Sequence, residues 1–170
     1  MISIVAAIDR NRVIGKADRI PWRLQRDLRM LKQLTEGQVV ILGRKTYDSM
    51  VWYYDRSGRP MPGKMYLIVT RNADYSPTRD NARIALSPED ALKQASELGG
   101  DAFVIGGEHI FETFLPYTDR IYLTEVDTEA DGDAYFPTLR PDEWYEVSRE
   151  HFTADEKNEH DSDLVVLERS

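Results

Sequence analysis

Apolar residues gather into short runs along the chain, separated by polar segments. ISIVAAI (2–8), VVILG (39–43), MYLIVT (65–70), RIAL (83–86), AFVIGG (102–107) and RIYLTEV (120–126) each have the length of a strand. Several are continuous rather than alternating, which is the pattern of strands covered on both faces. Between them the spacing predicts helices over 24–34, 45–50, 88–98 and 108–114. The third has the sharpest start, with Ser87 as N-cap, Pro88 at the first helical position and Glu89 and Asp90 suiting the helix dipole. Strands alternating with helices imply a mainly parallel sheet with helices on both faces. At the end of the chain EWYEVSREHF (143–152) and DLVVLERS (163–170) flank a polar run and predict an antiparallel hairpin on the sheet edge. VWYYDRSGRPMPG (51–63) reads as a long loop restrained by two prolines.

One residue breaks the pattern of the first helix. Leu24, Leu28, Leu31 and Leu34 follow the spacing of an apolar stripe, with Arg23, Arg26, Arg29 and Lys32 left for the polar side. Asp27 falls inside the stripe. An isolated ionised carboxylate costs several kcal/mol (order of magnitude) to bury. It is either an ordinary ion pair with Arg23 that reaches water, or a carboxylate in an apolar cleft that pairs with a polar ligand edge.

Composition narrows the function classes. The chain has 170 residues, 41% of them hydrophobic, enough for one domain with a substantial core. A net charge of −8 disfavours nucleic acid and anionic membranes as partners. The absence of cysteine excludes disulfides, thiolate metal sites and a catalytic thiol. His109, His151 and His160 are scattered, so no metal site is expected. The first ten residues read as a strand rather than a signal peptide, and no apolar run approaches the roughly 20 residues of a membrane span, so a cytoplasmic protein is expected.

Three strand ends have the composition of anion sites. VVILG ends at Gly43 and Arg44, Lys45 and Thr46 then open a helix; FVIGG ends at Gly106 and Gly107; LIVTRN carries Thr70 and Arg71. None matches the P-loop or the G-x-G-x-x-G pattern. Ligands of open α/β sheets lie beyond the carboxyl ends of the strands, so the set points to a phosphorylated nucleotide.

ISIVAAI, NRVIGKADRIPW with the following RDL, VVILGRKTYDSM, GRPMPGK, FVIGGEHIF and RIYLTEVDTEADGDAYFP together resemble the dihydrofolate reductases of bacterial chromosomal type, from Met1 to the C-terminus. The resemblance implies an α/β fold: a single domain over 1–170, with a central eight-stranded mixed, mainly parallel sheet, four flanking helices and an antiparallel C-terminal hairpin. It implies reduction of 7,8-dihydrofolate to tetrahydrofolate by NADPH, in support of one-carbon metabolism and thymidylate synthesis. Hydride would pass from nicotinamide C4 to pterin C6 while N5 gains a proton. The implied partners are dihydrofolate, NADPH and antifolate inhibitors, and the family default is a monomer.

Residue by residue, the resemblance makes Asp27, Thr124, Ile20 and Trp22 the catalytic set. Asp27 is the ionisable group of the pterin pocket, Thr124 links it to the pterin amino group, and water enters near Ile20. Val5, Ala6, Ala7, Leu28, Leu31, Lys32, Met50, Arg59, Met61, Lys64 and Ile105 are implied substrate contacts. The cofactor would meet Ala7, Ile14, Gly15, Lys16, Ala17, Asp18, Gly43, Arg44, Lys45, Thr46, Val69, Thr70, Arg71, Ile105, Gly106, Gly107, Glu108, His109, Ile110, Phe111 and Thr113. Of these, Arg44 and Arg71 stand where the 2′-phosphate of NADPH is expected. The Gly106–Gly107 bond is expected to be cis, 15–24 resembles a mobile loop over the nicotinamide, and Asp133 resembles the acid that latches it. Four positions depart from the family pattern: Lys64 where an arginine grips the folate tail, a longer and more aromatic segment over 51–57, Phe111 for a tyrosine, and Leu31 for a phenylalanine. A reductase of another pterin or of a pyrimidine, and a nucleotide-binding protein without catalysis, stay open as alternatives.

Overall fold

A computed structural model describes residues 1–15 and 21–170. In chain order the elements are β1 (Ile2–Ile8), β2 (Val13–Gly15), α1 (Gln25–Thr35), β3 (Val39–Gly43), α2 (Arg44–Ser57), β4 (Met65–Val69), β5 (Ala82–Ala85), α3 (Pro88–Leu98), β6 (Ala102–Val104), α4 (Glu108–Phe114), β7 (Arg120–Val126), β8 (Ala134–Tyr135), β9 (Trp144–Phe152) and β10 (Ser162–Arg169). Eight strands form one sheet in the order β5-β4-β3-β6-β1-β7-β10-β9, and β2 pairs with β8 in a small antiparallel ribbon. The strands from β5 to β7 are mutually parallel, whereas β10 runs antiparallel to both β7 and β9. The mixed sheet, the four helices and the terminal hairpin are those expected from the pattern of apolar runs.

Alternation along the strands divides the core between the two faces of the sheet. Ile4, Ala6, Ile41, Val104, Ile121 and Leu123 point to one face and pack with Ala91 and Ala95 of α3 and with Ile110, Phe111 and Phe114 of α4. Val40, Leu42, Tyr66 and Ile68 point to the other, against Tyr47 of α2 and Met61. Val5 and Ala7 of β1 and Thr124 of β7 share that second face by the same alternation, beside α1. Ala7 packs with the buried cluster of Trp22, Leu24 and Val126.

Local chemistry sets the start of α3. The Ser87 hydroxyl accepts the Asp90 N–H at 3.0 Å and Pro88 follows it, which starts α3 as the sequence predicts. Ser87→Ala is expected to lower stability by about 1 kcal/mol, measured as a shift in urea midpoint at unchanged slope.

α2 departs from expectation: the segment 51–57 is not a loop but two further helical turns, ending at Gly58 with φ of 67°. Val51 and Tyr54 continue the sheet-facing row begun by Tyr47 and Met50, and Arg56 lies over the Trp52 ring one turn back at 4.0 Å. Tertiary packing thus overrides the low helix propensity of a Val-Trp-Tyr-Tyr run. The apolar stripe of α1 differs too. Leu24 is buried at the helix start, but Leu28 is 48% exposed, so the stripe does not enter the core along its whole length.

At the far edge, β9 is exposed along most of its length. Arg149 binds Glu125, Glu146 and Asp163 at 2.7–2.8 Å, across three strands. No helix among the described residues is long and apolar enough to cross a membrane.

Candidate active site

Asp27 stands in the first turn of α1, and its Oδ1 accepts the Thr124 hydroxyl at 2.8 Å. Thr124 is 5% exposed, and it sits opposite Ala7 in the β1–β7 register. The hydroxyl is therefore fixed by the centre of the sheet, and the carboxylate by a helix resting on it. Loss of water on burial pushes the Asp27 carboxyl above the usual carboxylate range, and the Thr124 hydrogen bond pulls back against that. Of the two readings of Asp27, the ion pair is the weaker: its bonded partner is a neutral hydroxyl.

The implied substrate residues fall around this group unevenly. Val5 is buried, Ala7 half-buried, and both share the face of Thr124. Leu28 and Lys32 are exposed on α1, Leu31 and Met50 are half-buried, and Met61 is buried. Ala6 belongs to the opposite face, in the cluster with α4, so its side chain does not reach this cleft. Arg59 is exposed beyond α2. Trp22 is buried against Leu24 and Val126, at the entrance of α1.

Two of the three strand ends meet through glycine. The Gly43 N–H donates to the Gly106 carbonyl at 2.9 Å, and the Gly106–Gly107 peptide is cis. A Cβ on Gly43 would stand 3.2 Å from Ile110 Cγ1, one on Gly106 3.1 Å from the Phe111 ring, and one on Gly107 3.9 Å from Thr46 Oγ1. Gly43 is also the N-cap of the 14-residue α2, so no side chain occupies the leading amides of that helix. Uncapped amides, the helix dipole and the adjacent Arg44 and Lys45 fit a phosphate group. Arg44 pairs with Asp48 at 3.7 Å and lies 5.9 Å from the centre of the Tyr75 ring.

The third strand end is shaped differently. Val69 ends β4, the Thr70 hydroxyl accepts the Asn72 N–H at 3.1 Å, and Arg71 is exposed. On α4 the Thr113 hydroxyl turns back to the His109 carbonyl at 2.7 Å, while Phe111 packs edge-on against Phe136. Ile105 is half-buried between β6 and Gly106. Ile14 and Gly15 lie in β2, where the Gly15 carbonyl accepts the Asp133 N–H at 3.0 Å. Glu108 accepts the Tyr135 N–H at 3.0 Å, which ties α4 to β8. Among the described residues no cluster of ligating side chains fits a metal ion.

The family model described as dihydrofolate reductase matches residues 1–169. The chain belongs to the dihydrofolate reductase family. The dihydrofolate reductase of Staphylococcus haemolyticus is 39% identical over 168 residues, covering 99% of this chain and 95% of that relative. That of Bacillus subtilis (strain 168) is 37% identical over 169 residues with the same coverage. A solved structure, the dihydrofolate reductase from Enterococcus faecalis complexed with NADP(H) and RAB-propyl, superposes with a TM-score of 0.87 at 29% identity, covering 100% of this chain and 96% of that one.

Two parts of the dihydrofolate reductase pattern stand apart here. Lys16, Ala17, Asp18 and Ile20 lie outside the described residues. Lys64 does not extend toward the cleft as the family pattern suggests: its ammonium donates to the Leu98 carbonyl at 3.0 Å, at the C-terminus of α3. That end of a helix favours a cation, which gives Lys64 a local task. Conversely, the polar run 153–162, which the sequence sets between the two hairpin strands, closes on the start of α1. Gln25 N–H donates to the Lys157 carbonyl and Arg26 N–H to Asn158 Oδ1. Contacts spanning more than a hundred residues leave no local signal, and the only sequence hint was an asparagine, a residue suited to capping, within that run.

Proposed function

We propose that the chain reduces 7,8-dihydrofolate to 5,6,7,8-tetrahydrofolate with NADPH, at the cleft between α1, α2 and the sheet. The observation that carries this reading is the Asp27–Thr124 pair: a desolvated carboxylate held by a neutral hydroxyl, on the sheet face that Val5 and Ala7 share. Such a group suits a flat heterocycle with N–H donors along one edge. Asp27 accepts from pterin N3 and the 2-amino group, Thr124 holds Asp27 in line, and the pair favours the pterin protonated at N5. Ala7 and Val5 supply the floor, and Leu28, Leu31 and Met50 the walls.

NADPH supplies the hydride. Arg44, Thr46 and the leading amides of α2 would hold its phosphates, Arg71 adds charge for the 2′-phosphate, and the Gly106–Gly107 turn allows close approach. The decisive experiment is loss of NADPH absorbance on addition of dihydrofolate to purified protein. NADPH binding without turnover would overturn the proposal and favour a non-catalytic nucleotide-binding protein. The reading carries with it a single domain over 1–170, a monomer and a cytoplasmic location.

Lys64 gives a second expectation. Because Leu98 engages its ammonium, Lys64→Met should leave the ratio of KM values unchanged between dihydrofolate and a pterin lacking the glutamate tail. A rise confined to dihydrofolate would return Lys64 to the substrate site.

A further inference from the structure

Asn158 lies in the middle of the acidic run between β9 and β10, yet it is only 5% exposed. Its Oδ1 accepts the Arg26 N–H at 2.9 Å, and the preceding Lys157 carbonyl accepts the Gln25 N–H at 3.2 Å. These are the first two amides of α1, and the helix's own N-cap residue, Leu24, provides no side-chain acceptor for them. A buried leucine occupies the position where Ser, Thr, Asp or Asn ordinarily stands. The acceptor comes instead from a segment 132 residues away.

The capping group is itself held firmly. Asp155 Oδ1 accepts the Asn158 Nδ2, the Asn158 N–H and the Lys157 N–H, each at 2.9 Å. Its Oδ2 receives the Arg26 guanidinium at 3.3 Å, and that guanidinium lies 4.5 Å from the centre of the Phe152 ring. Glu159 N–H donates to the Arg23 carbonyl at 2.9 Å, just before the helix.

These contacts close a circuit through the sheet. Thr124 lies on β7, β7 pairs with β10 in a register that sets Leu164 opposite Thr124, and β10 leads back to the turn that carries Asn158. Asn158 then fixes the start of α1, and Asp27, the third residue of that helix, returns to the Thr124 hydroxyl at 2.8 Å. The strand that orients the hydroxyl and the turn that orients the helix are thus joined in one hydrogen-bonded unit.

We propose that Asn158 is a positioning residue, capping α1 from the β9–β10 hairpin and thereby fixing the first helical turn that aims Asp27 at Thr124 and the pterin. The proposal rests on the reading of this cleft as a dihydrofolate reductase site. Asn158 itself touches neither substrate nor cofactor; it acts through Asp27.

The test uses the full chain with Asn158→Leu, which keeps the branched outline and removes both hydrogen-bonding groups, and Asn158→Ala, which removes them without adding bulk and without facing a second carboxylate to Asp155. Loss of a cap is expected to slow single-turnover hydride transfer from NADPH to dihydrofolate about tenfold in both variants. In an Asp27→Asn background, assayed in acid where that variant turns over, Asn158→Leu should have no further effect. The Asp27 titration midpoint, followed by NMR, should fall toward the ordinary carboxylate value in both variants as water enters. Its causes in the native protein are burial and the Thr124 hydroxyl alone.

A rate and pH profile of Asn158→Leu equal to those of the unaltered protein would overturn the proposal. So would an equal slowing with and without Asp27. If Asn158→Leu does not fold, Asn158→Ala decides: a tenfold loss that disappears in the Asp27→Asn background supports the cap, and native behaviour refutes it. The unaltered protein tests the underlying activity separately, since its turnover does not depend on either variant.

Discussion

Asp27→Asn is expected to lower the rate of hydride transfer at neutral pH by a factor of about 10²–10⁴, the usual range for loss of a positioned acid–base group. The amide keeps the shape of the side chain and can still meet Thr124, but it cannot stabilise a protonated pterin. The rate should recover as pH falls and solvent protonates the substrate directly, so pre-steady-state rates across a pH series are the measurement. A profile parallel to that of the native protein would remove Asp27 from the chemistry. Stability should move the other way. Burial raises the carboxyl pKa in the folded state above its unfolded value. The folded protein therefore carries a penalty that grows as pH rises from the ordinary carboxylate value through the raised one, and is fully present above it. Asn removes that penalty, so the variant should unfold at a higher temperature than the native protein at neutral pH and lose this advantage in acid.

Gly106→Ala has the second largest expected effect. Gly106 has φ of 118°, a conformation that L side chains rarely adopt, and its new Cβ would stand 3.1 Å from two carbons of the Phe111 ring. Phe111 is 3% exposed and packs edge-on against Phe136 at 5.2 Å, so the ring has little room to withdraw. Backbone strain and overpacking together amount to about 3 kcal/mol. The urea midpoint should drop accordingly, and NADPH titration should show weaker binding, because the displaced turn also accepts the Gly43 N–H that sets the head of α2. An unchanged midpoint would mean that the turn relaxes without cost.

Much of this was legible in the chain because the responsible signals are local. Continuous apolar runs marked β1, β3, β4 and β7, and Ser87-Pro88 marked α3 by capping chemistry. The phase of Asp27 within a leucine stripe exposed the candidate site before any ligand was considered. What stayed hidden depends on distant partners. The second half of α2 is helical because Val51 and Tyr54 meet the sheet, not because their types favour helix. The β2–β8 ribbon is too short to carry a period. Lys64 was judged by its place in a motif, whereas the end of α3 decides where its charge goes. Asn158 shows the same limit most plainly: its burial and its partner are both invisible until the hairpin is folded against α1.

The charged strand at the sheet margin bears on edge-to-edge strand pairing. β9 ends the eight-stranded sheet with one backbone edge open, the kind of surface on which a neighbouring chain can add a strand. Here that strand carries Glu146, Arg149, Glu150 and His151, with Arg149 drawing three carboxylates into one lattice of charge. An approaching strand would have to strip water from those ions to pair, so the margin that closes the sheet also guards it against stacking into aggregates.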